Sequence, residues 1–170
     1  FLMGLWIMKL IDFSNYLAVL ETTRKPWHDK YYALYSSVLG GVTLDPVLMQ
    51  VPIDDHLVHR GDGVFDTFKC VGRAAYNLDA HLRRLARSAE AIGLTWPAGL
   101  DDIRRLTIET LAQAGRECCT GRVMLARGPG SFGVSPYESP DPALYIVVYA
   151  AGTPFMEAHP GGARVRRSLV

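Results

Sequence analysis

The sequence predicts an α+β domain in which helices flank an antiparallel sheet. Two strand-like segments, 64–71 and 74–78, are separated by Gly72-Arg73, where a two-residue hairpin turn belongs. Two helical segments follow, and two more strand-like segments, 122–126 and 144–149, come after them. A hairpin, then helices, then further strands is the order expected of an α+β domain with an antiparallel sheet.

Both helices between the strands have recognisable ends. The first is predicted over 79–92, with Asp79 as its N-cap and Gly93 at its C-terminal end. The aspartate pair Asp101-Asp102 begins the second helix, which ends at Gly115. The apolar stripe of the first helix consists of Leu82, Leu85, Ala89 and Ile92.

The chain divides into three parts. Residues 1–34 are assigned to an N-terminal helical extension and residues 35–150 to the small α+β domain, which also contains a predicted strand over 47–53. Residues 151–170 are rich in Gly and Pro at their start and are assigned to a linker. Because 164–170 resembles the first residues of a strand, we expect a further domain to follow.

The first twenty residues are apolar enough to raise the question of a membrane span or a signal peptide. Lys9, Asp12 and Asn15 interrupt the apolar run, and no basic segment precedes it. An amphipathic helix with Ser14 as its N-cap, ending before Pro26, fits these residues better. We therefore expect no membrane contact.

Composition excludes several classes of function. The chain has 170 residues, of which 49% are apolar and 21% charged, as in soluble globular proteins. Its net charge of +1 gives no field that would attract nucleic acid. The three cysteines form no metal-type CxxC pair, and neighbouring Cys118 and Cys119 could form only a strained disulfide. A reducing, cytoplasmic location is the expectation, without a bound metal.

Two segments carry a family resemblance. HRGDGVFD at 59–66 and YNLDAHLRRL at 76–85 resemble the small domain of the fold-type IV, pyridoxal-phosphate-dependent enzymes, and residues 122–133 are similar to a strand and loop of the same family. The resemblance implies the small domain of a two-domain homodimer. It also implies a transaminase of the branched-chain or D-amino acid type, with amino acids and 2-oxo acids as substrates. Aminodeoxychorismate lyase, a member of the same family, is the alternative enzyme, and a non-catalytic binding module is the alternative from another class.

The resemblance assigns the cofactor phosphate to Arg84. Arg84 is the arginine of the family pattern His-Leu-x-Arg-Leu, and a planar guanidinium suits a phosphate well. The residues alone would not single it out, because Arg83, Arg84 and Arg87 all lie off the apolar stripe and could be three solvated side chains. At position 66 the family usually has Glu, where this chain has Asp66.

Three further residues are assigned to the substrate pocket, each with an alternative. Phe65 would line the pocket, or else belong to the core. Arg122 matches an arginine near the carboxylate site of branched-chain enzymes, or else pairs across the sheet. Arg60 could receive a substrate carboxylate, or else form an ion pair with Asp54, Asp55 or Asp62. The loop 131–137 lacks the Arg-x-His motif of D-amino acid aminotransferases.

No catalytic residue is expected in this chain. Its lysines are Lys9, Lys25, Lys30 and Lys69, and none falls at the family position of the Schiff-base lysine. The resemblance places that lysine beyond Val170, in a large domain. The 170 residues alone are therefore predicted to be inactive.

Overall fold

Within residues 8–162, the fold is a six-stranded antiparallel sheet with two long helices on one face. The computed structural model describes residues 8–162. Neighbouring strands lie in the order β2-β1-β6-β5-β3-β4. The strands are β1 (Tyr31–Ser36), β2 (Gly41–Thr43), β3 (Gly63–Val71), β4 (Ala74–Ala75), β5 (Cys119–Ala126) and β6 (Ala143–Tyr149).

The α+β prediction is confirmed, but the first two strands were missed. β1 pairs with the long strand β6, so the sheet takes in residues from Tyr31 that the sequence analysis assigned to the extension. The strand predicted over 47–53 is wrong. Asp45 caps a short 3-10 helix, Pro46–Leu48, by accepting a hydrogen bond from the Val47 backbone N–H at 3.2 Å. A proline at the first position of the turn favours this helix over a strand.

The hairpin between β3 and β4 is confirmed at Gly72-Arg73. Both residues have positive φ, 58° at Gly72 and 64° at Arg73, as a turn of the mirror-image type requires. β4 is shorter than predicted and pairs only with Cys70 and Val71. Within residues 8–162, the rest of that edge of β3 therefore pairs with no other strand.

The helices are short except for the two that pack on the sheet. Asn77, with φ of 56°, precedes α3, so Asp79 lies in the first turn and is not the N-cap. Gly93 and Gly115 follow α3 and α4 with positive φ, as predicted. The helices are α1 (Tyr16–Thr22), α2 (His56–Arg60), α3 (Leu78–Ala91), α4 (Leu100–Ala114) and α5 (Phe155–Ala158).

The main core lies between α3, α4 and one face of the sheet. The predicted stripe of α3 is buried except at its end, where Ile92 is exposed. Alternate residues of β5 and β6 meet this stripe because successive side chains of a strand point to opposite faces. The buried side chains of this core include Phe68, Leu78, Leu82, Leu85, Ile103, Leu111, Val123, Leu144, Ile146 and Val148.

The N-terminal part is only partly helical. α1 begins at Tyr16 and follows Asn15, whose side chain forms no cap hydrogen bond, so the predicted cap at Ser14 is wrong by one residue. Within residues 8–162, no helix has the length and apolar run needed to cross a membrane. The strand expected over 164–170 lies outside the described residues.

Candidate active site

Strand β3 carries Asp66 and Phe65, of which Phe65 is predicted to line the substrate pocket, on opposite faces of the sheet. Asp66 points to the helix face and is only 4% exposed, whereas its neighbour Phe65 points to the other face and is 63% exposed. This alternation follows from the strand period of two. The unpaired edge of β3 lies beside both residues.

Asp66 is the buried centre of a hydrogen-bond cluster with α3. The Arg84 guanidinium donates to both oxygens of the Asp66 carboxylate, from Nε to Oδ2 and from Nη2 to Oδ1, each at 2.6 Å. His81 Nδ1 lies 2.8 Å from Oδ1 of the same carboxylate. The i, i+3 spacing of His81 and Arg84 places both side chains on one face of α3. Asp66 therefore fixes the direction of the Arg84 side chain.

The cluster keeps the carboxylate charged. Burial alone would raise the pKa of Asp66, but hydrogen bonds from Arg84 and then His81 outweigh it, so this pKa lies below its ordinary value. The hydrogen bond to Asp66 raises the pKa of Arg84. The cluster is thus an ion pair throughout the neutral range.

The Arg84 side chain remains accessible while it is held by Asp66. It is 60% exposed, and the two bonds to Asp66 use only Nε and Nη2. The Nη1 group is left to donate to an anion, which a phosphate oxygen would suit. Arg83 and Arg87 are exposed too, but no carboxylate among residues 8–162 holds either of them in this way.

The exposed face of the sheet joins two other predicted residues. The Arg122 guanidinium lies 4.7 Å from the centre of the Phe65 ring and 5.8 Å from that of Tyr149. Arg122 Nε also donates to Thr67 Oγ1 at 3.1 Å. Phe65 is therefore not a core residue in this chain, and Arg122 stacks on aromatic rings within the sheet. This face presents a cation flanked by aromatic surface.

Arg60 does not lie in either group. Its Nη2 donates to the backbone carbonyl of Gly133 at 3.2 Å, and it forms no ion pair with an aspartate among residues 8–162. Asp62 lies in the turn Gly61-Asp62-Gly63 between α2 and β3, which we call the glycine turn. Asp62 instead pairs with Arg127, whose Nε and Nη2 donate to its two carboxylate oxygens at 2.9 and 3.0 Å. Arg60 thus holds the loop that follows β5, and its role as a carboxylate receptor stays a prediction.

Arg127 joins the glycine turn to the end of α3. Besides its ion pair with Asp62, it donates to the carbonyls of Gly93 at 2.8 Å and Ile92 at 3.1 Å. Those carbonyls lie at the C-terminal end of the helix, where backbone acceptors have no intrahelical partner. The sequence did not predict these contacts of Arg127, because their partners are distant from it in the chain. The position of Arg127 in a loop was the only available signal.

We expect Arg127→Ala to lower the free energy of unfolding by about 2 to 3 kcal/mol. The Arg127 and Asp62 side chains are only 14% and 22% exposed, so water replaces the lost bonds poorly. Arg104→Ala is the control, since its pair with Asp79 is 50% and 58% exposed and should contribute less than about 1 kcal/mol. Urea denaturation measures both. Equal losses in the two variants would contradict the proposal that Arg127 stabilises the fold by joining Asp62 to the end of α3.

A second buried carboxylate, that of Asp55, lies at the start of the short helix that leads into the glycine turn. Asp55 is fully buried, accepts from the Leu57 backbone N–H at 2.9 Å and from the Tyr145 hydroxyl at 2.7 Å. Burial, and then the hydrogen bond to Asp55, raise the pKa of Tyr145. Next to it, His56 Nε2 lies 3.2 Å from the carbonyl of Ser131. These contacts connect the start of α2 to the sheet and to the following loop.

Comparison with known proteins assigns the fold to a family. Residues 63–167 match the family model described as amino-transferase class IV. This match covers more than half of the chain, and the chain belongs to that family. The sheet with two helices on one face is its small domain, as the sequence predicted.

Similar proteins are named as transaminases. The chain is 42% identical over 119 residues to the chloroplastic D-amino-acid transaminase of Arabidopsis thaliana, which aligns 70% of this chain with 32% of that protein. It is 26% identical over 109 residues to a putative branched-chain-amino-acid aminotransferase of Methanocaldococcus jannaschii, with 64% of this chain and 38% of that protein aligned. The chain thus spans about a third of the length of these two relatives.

A solved structure gives the same picture. A hypothetical aminotransferase from Mycobacterium tuberculosis in its PLP-bound form superposes with a TM-score of 0.56 at 27% identity. The superposition covers 69% of this chain and 39% of the other. This likeness agrees with the family assignment of residues 63–167.

Proposed function

We propose that this chain is the small domain of a pyridoxal-phosphate-dependent aminotransferase that converts an amino acid into its 2-oxo acid. The membership of residues 63–167 in the aminotransferase family is the observation that carries this proposal. The transaminase names of two relatives support it. In the complete protein, a large domain following this chain would supply the lysine that binds the cofactor.

Arg84 is proposed to bind the phosphate of pyridoxal 5'-phosphate. The support is its exposed guanidinium, which Asp66 holds in place while leaving Nη1 to donate. When bound, this cofactor accepts electrons from the bond cleaved at the amino acid Cα. The residues of this chain would anchor and orient it, because a bidentate pair fixes Arg84 before the phosphate arrives.

Phe65 and Arg122 are proposed to face the substrate. Arg122 offers the positive charge that an amino acid carboxylate needs, and the Phe65 ring beside it offers apolar contact to a side chain. Thr67 restrains the Arg122 side chain through its hydroxyl. We propose that the carboxylate of the amino acid binds to the free side of the Arg122 guanidinium. The contacts of Arg122 with Phe65 and Thr67 then remain in place.

We expect Arg122→Met to raise KM for amino acid substrates by roughly ten- to hundredfold, because one charge-assisted hydrogen bond is lost. Lys69→Met removes a positive charge from the same exposed face of β3 and is the control, with KM expected to change little. Steady-state kinetics on both variants of the complete protein provides the test. An unchanged KM in Arg122→Met would remove this residue from the substrate site.

The substrate is proposed to be a D-amino acid or a branched-chain amino acid. The 42% identity to a protein named D-amino-acid transaminase favours the first. The missing Arg-x-His motif in the loop 131–137 favours the second. Assaying 2-oxo acid formation with D-alanine and L-leucine as donors separates these two, and absence of product from every amino acid tested would overturn the proposed reaction.

Assembly and location complete the proposal. We propose a homodimer in which the loop 127–142 approaches the neighbouring subunit, supported by the exposure of Phe132 and Tyr137, 63% and 93%. Sedimentation of the complete protein at micromolar concentration tests it, and an active monomer would count against it. A cytoplasmic location is proposed from the free cysteines Cys70, Cys118 and Cys119.

A further inference from the structure

Two buried cysteines face each other at the end of the sheet. Cys70 of β3 and Cys119 of β5 are directly opposed in the antiparallel register. Opposed residues of such a pair project from the same face of the sheet, with Cα atoms about 4.5 to 5.5 Å apart. A disulfide spans Cα separations of about 4.4 to 6.8 Å. The register therefore meets the main geometric requirement for a cross-strand disulfide without movement of the backbone.

The two thiols both lie inside the main core. Cys70 is 2% exposed and Cys119 is 1% exposed, and both are free thiols. Both side chains belong to one cluster of buried core residues. Because the backbone register already meets the disulfide requirement, only side-chain rotation is needed to bring the two sulfur atoms together. Cys118, by contrast, is exposed and precedes the strand.

A cavity open to the surface reaches Cys70. It has a volume of about 240 Å³ and lies between the β3–β4 hairpin and the C-terminal end of α4. Cys70 lines it, together with Arg73, Ala75, Leu111, Gly115 and Arg116. A small neutral disulfide fits a space of this size. Cys70 is thus the member of the pair that a reagent meets first.

We propose that Cys70 and Cys119 form a redox modification site, in which a low-molecular-weight disulfide converts the dithiol into a cross-strand disulfide. The proposal is independent of the proposed transaminase function.

The exchange takes two balanced steps. The Cys70 thiolate attacks the small disulfide, so that a bond from Cys70 Sγ to one reagent sulfur forms and the reagent S–S bond breaks. The departing reagent thiolate takes up the proton that Cys70 lost. The Cys119 thiolate then attacks Cys70 Sγ, forms the Cys70–Cys119 bond and expels the second reagent thiolate, which takes up the Cys119 proton. Two protein thiols are oxidised, and one disulfide is reduced to two thiols.

The reaction is slow and selective. Burial, and then the neighbouring Cys70 thiol, raise the pKa of Cys119 to about 12, so its thiolate is scarce at neutral pH. The exposed Cys118 reacts faster with the same reagent. It cannot easily form a disulfide with Cys119, however, because a disulfide between adjacent residues is strained. The disulfide between Cys70 and Cys119 therefore forms more slowly than the adduct on Cys118, and it is the final product.

The new bond would tie β3 to β5 and close a long loop that contains α3 and α4. Closing such a loop restricts the unfolded chain, and the melting temperature is expected to rise by roughly 5 to 15 °C. Because β3 carries Phe65 and Asp66 and β5 carries Arg122, the bond joins the two strands that hold the proposed site.

The test treats the native Cys118→Ser protein with bis(2-hydroxyethyl) disulfide and maps its peptides after proteolysis without reduction. We expect a linked pair of peptides containing Cys70 and Cys119, and a higher melting temperature that reducing agent reverses. The Cys70→Ala and Cys119→Ala variants, each made in the Cys118→Ser protein, are the controls and should show neither change. The Cys118→Ser substitution is at an exposed position and leaves the core intact.

Three results would overturn the proposal. The first is recovery of Cys70 and Cys119 as free thiols in the folded Cys118→Ser protein after an exposure many times longer than the one that modifies Cys118 completely in the unsubstituted protein. The second is a stable reagent adduct on Cys70 with Cys119 still free, because that would show that the second thiol cannot reach the first. A linked peptide that forms only in urea would count in the same way, since the native register would then play no part.

Discussion

Replacing Arg84 by alanine is expected to weaken binding of pyridoxal 5'-phosphate to the complete protein by roughly ten- to hundredfold. The reason is the loss of a guanidinium that Asp66 holds through two hydrogen bonds of 2.6 Å and that remains 60% exposed to a ligand. Titration of the apoprotein, followed by absorbance, measures the affinity. The affinity of Arg84→Lys for the cofactor should lie between those of Arg84→Ala and the unsubstituted protein, because an ammonium keeps the charge without the planar fork.

Two controls separate a phosphate contact from a general effect of charge or stability. Arg83→Ala and Arg87→Ala remove equal charge from the same helix and should leave affinity nearly unchanged. Pyridoxal, which lacks the phosphate, should bind to Arg84→Ala as it binds to the unsubstituted protein. Equal losses at positions 83, 84 and 87 would show that α3 acts only through its overall charge.

The Asp66→Asn variant should be less stable than the unsubstituted protein by about 2 kcal/mol at pH 7. The carboxylate is 4% exposed and accepts from Arg84 and His81, and an amide can replace only part of this acceptance. The exposure of Arg84 keeps the loss below that of a fully buried ion pair. Asp66→Glu retains the negative charge and introduces the residue that the family usually has at this position. It should therefore recover part of the lost stability.

The loss at Asp66 should depend on pH in a definite direction. The folded-state pKa of Asp66 lies below its ordinary value of 3.8, so the folded state favours the charged form. Its contribution to stability is then fully present above about pH 4 and disappears as pH falls through the folded-state pKa. The difference between Asp66→Asn and the unsubstituted protein should therefore shrink as the pH falls below about 4. A difference that stays constant to pH 2 would contradict the charged cluster.

The parts of the fold that depend on local pattern could be predicted from the sequence. The turn at Gly72-Arg73, the stripe Leu82, Leu85, Ala89 and the helix ends at Gly93 and Gly115 all follow from backbone preference or from a helical period. The strand predicted over 47–53 was wrong because tertiary packing and the cap by Asp45 overcame the strand-like composition of these residues. β1 was missed because its register with β6, more than a hundred residues later, leaves no local signal.

The site was predictable only in part for the same reason. The family pattern singled out Arg84, but the residues alone did not distinguish it from Arg83 or Arg87. Asp66 was noted only as a departure from Glu. Its position on the helix face of β3 could have been inferred from the alternation with Phe68, and a carboxylate facing a basic helix would then have indicated a partner for Arg84.

A crystal structure of the complete protein with pyridoxal 5'-phosphate tests the central claim most directly. We expect a phosphate oxygen within about 2.7 to 3.0 Å of the Arg84 guanidinium, while the two hydrogen bonds to Asp66 remain in place. The Phe65 and Arg122 side chains should face the bound cofactor or substrate. A phosphate held elsewhere, with Arg84 bonded only to Asp66 and water, would contradict the assignment of the site.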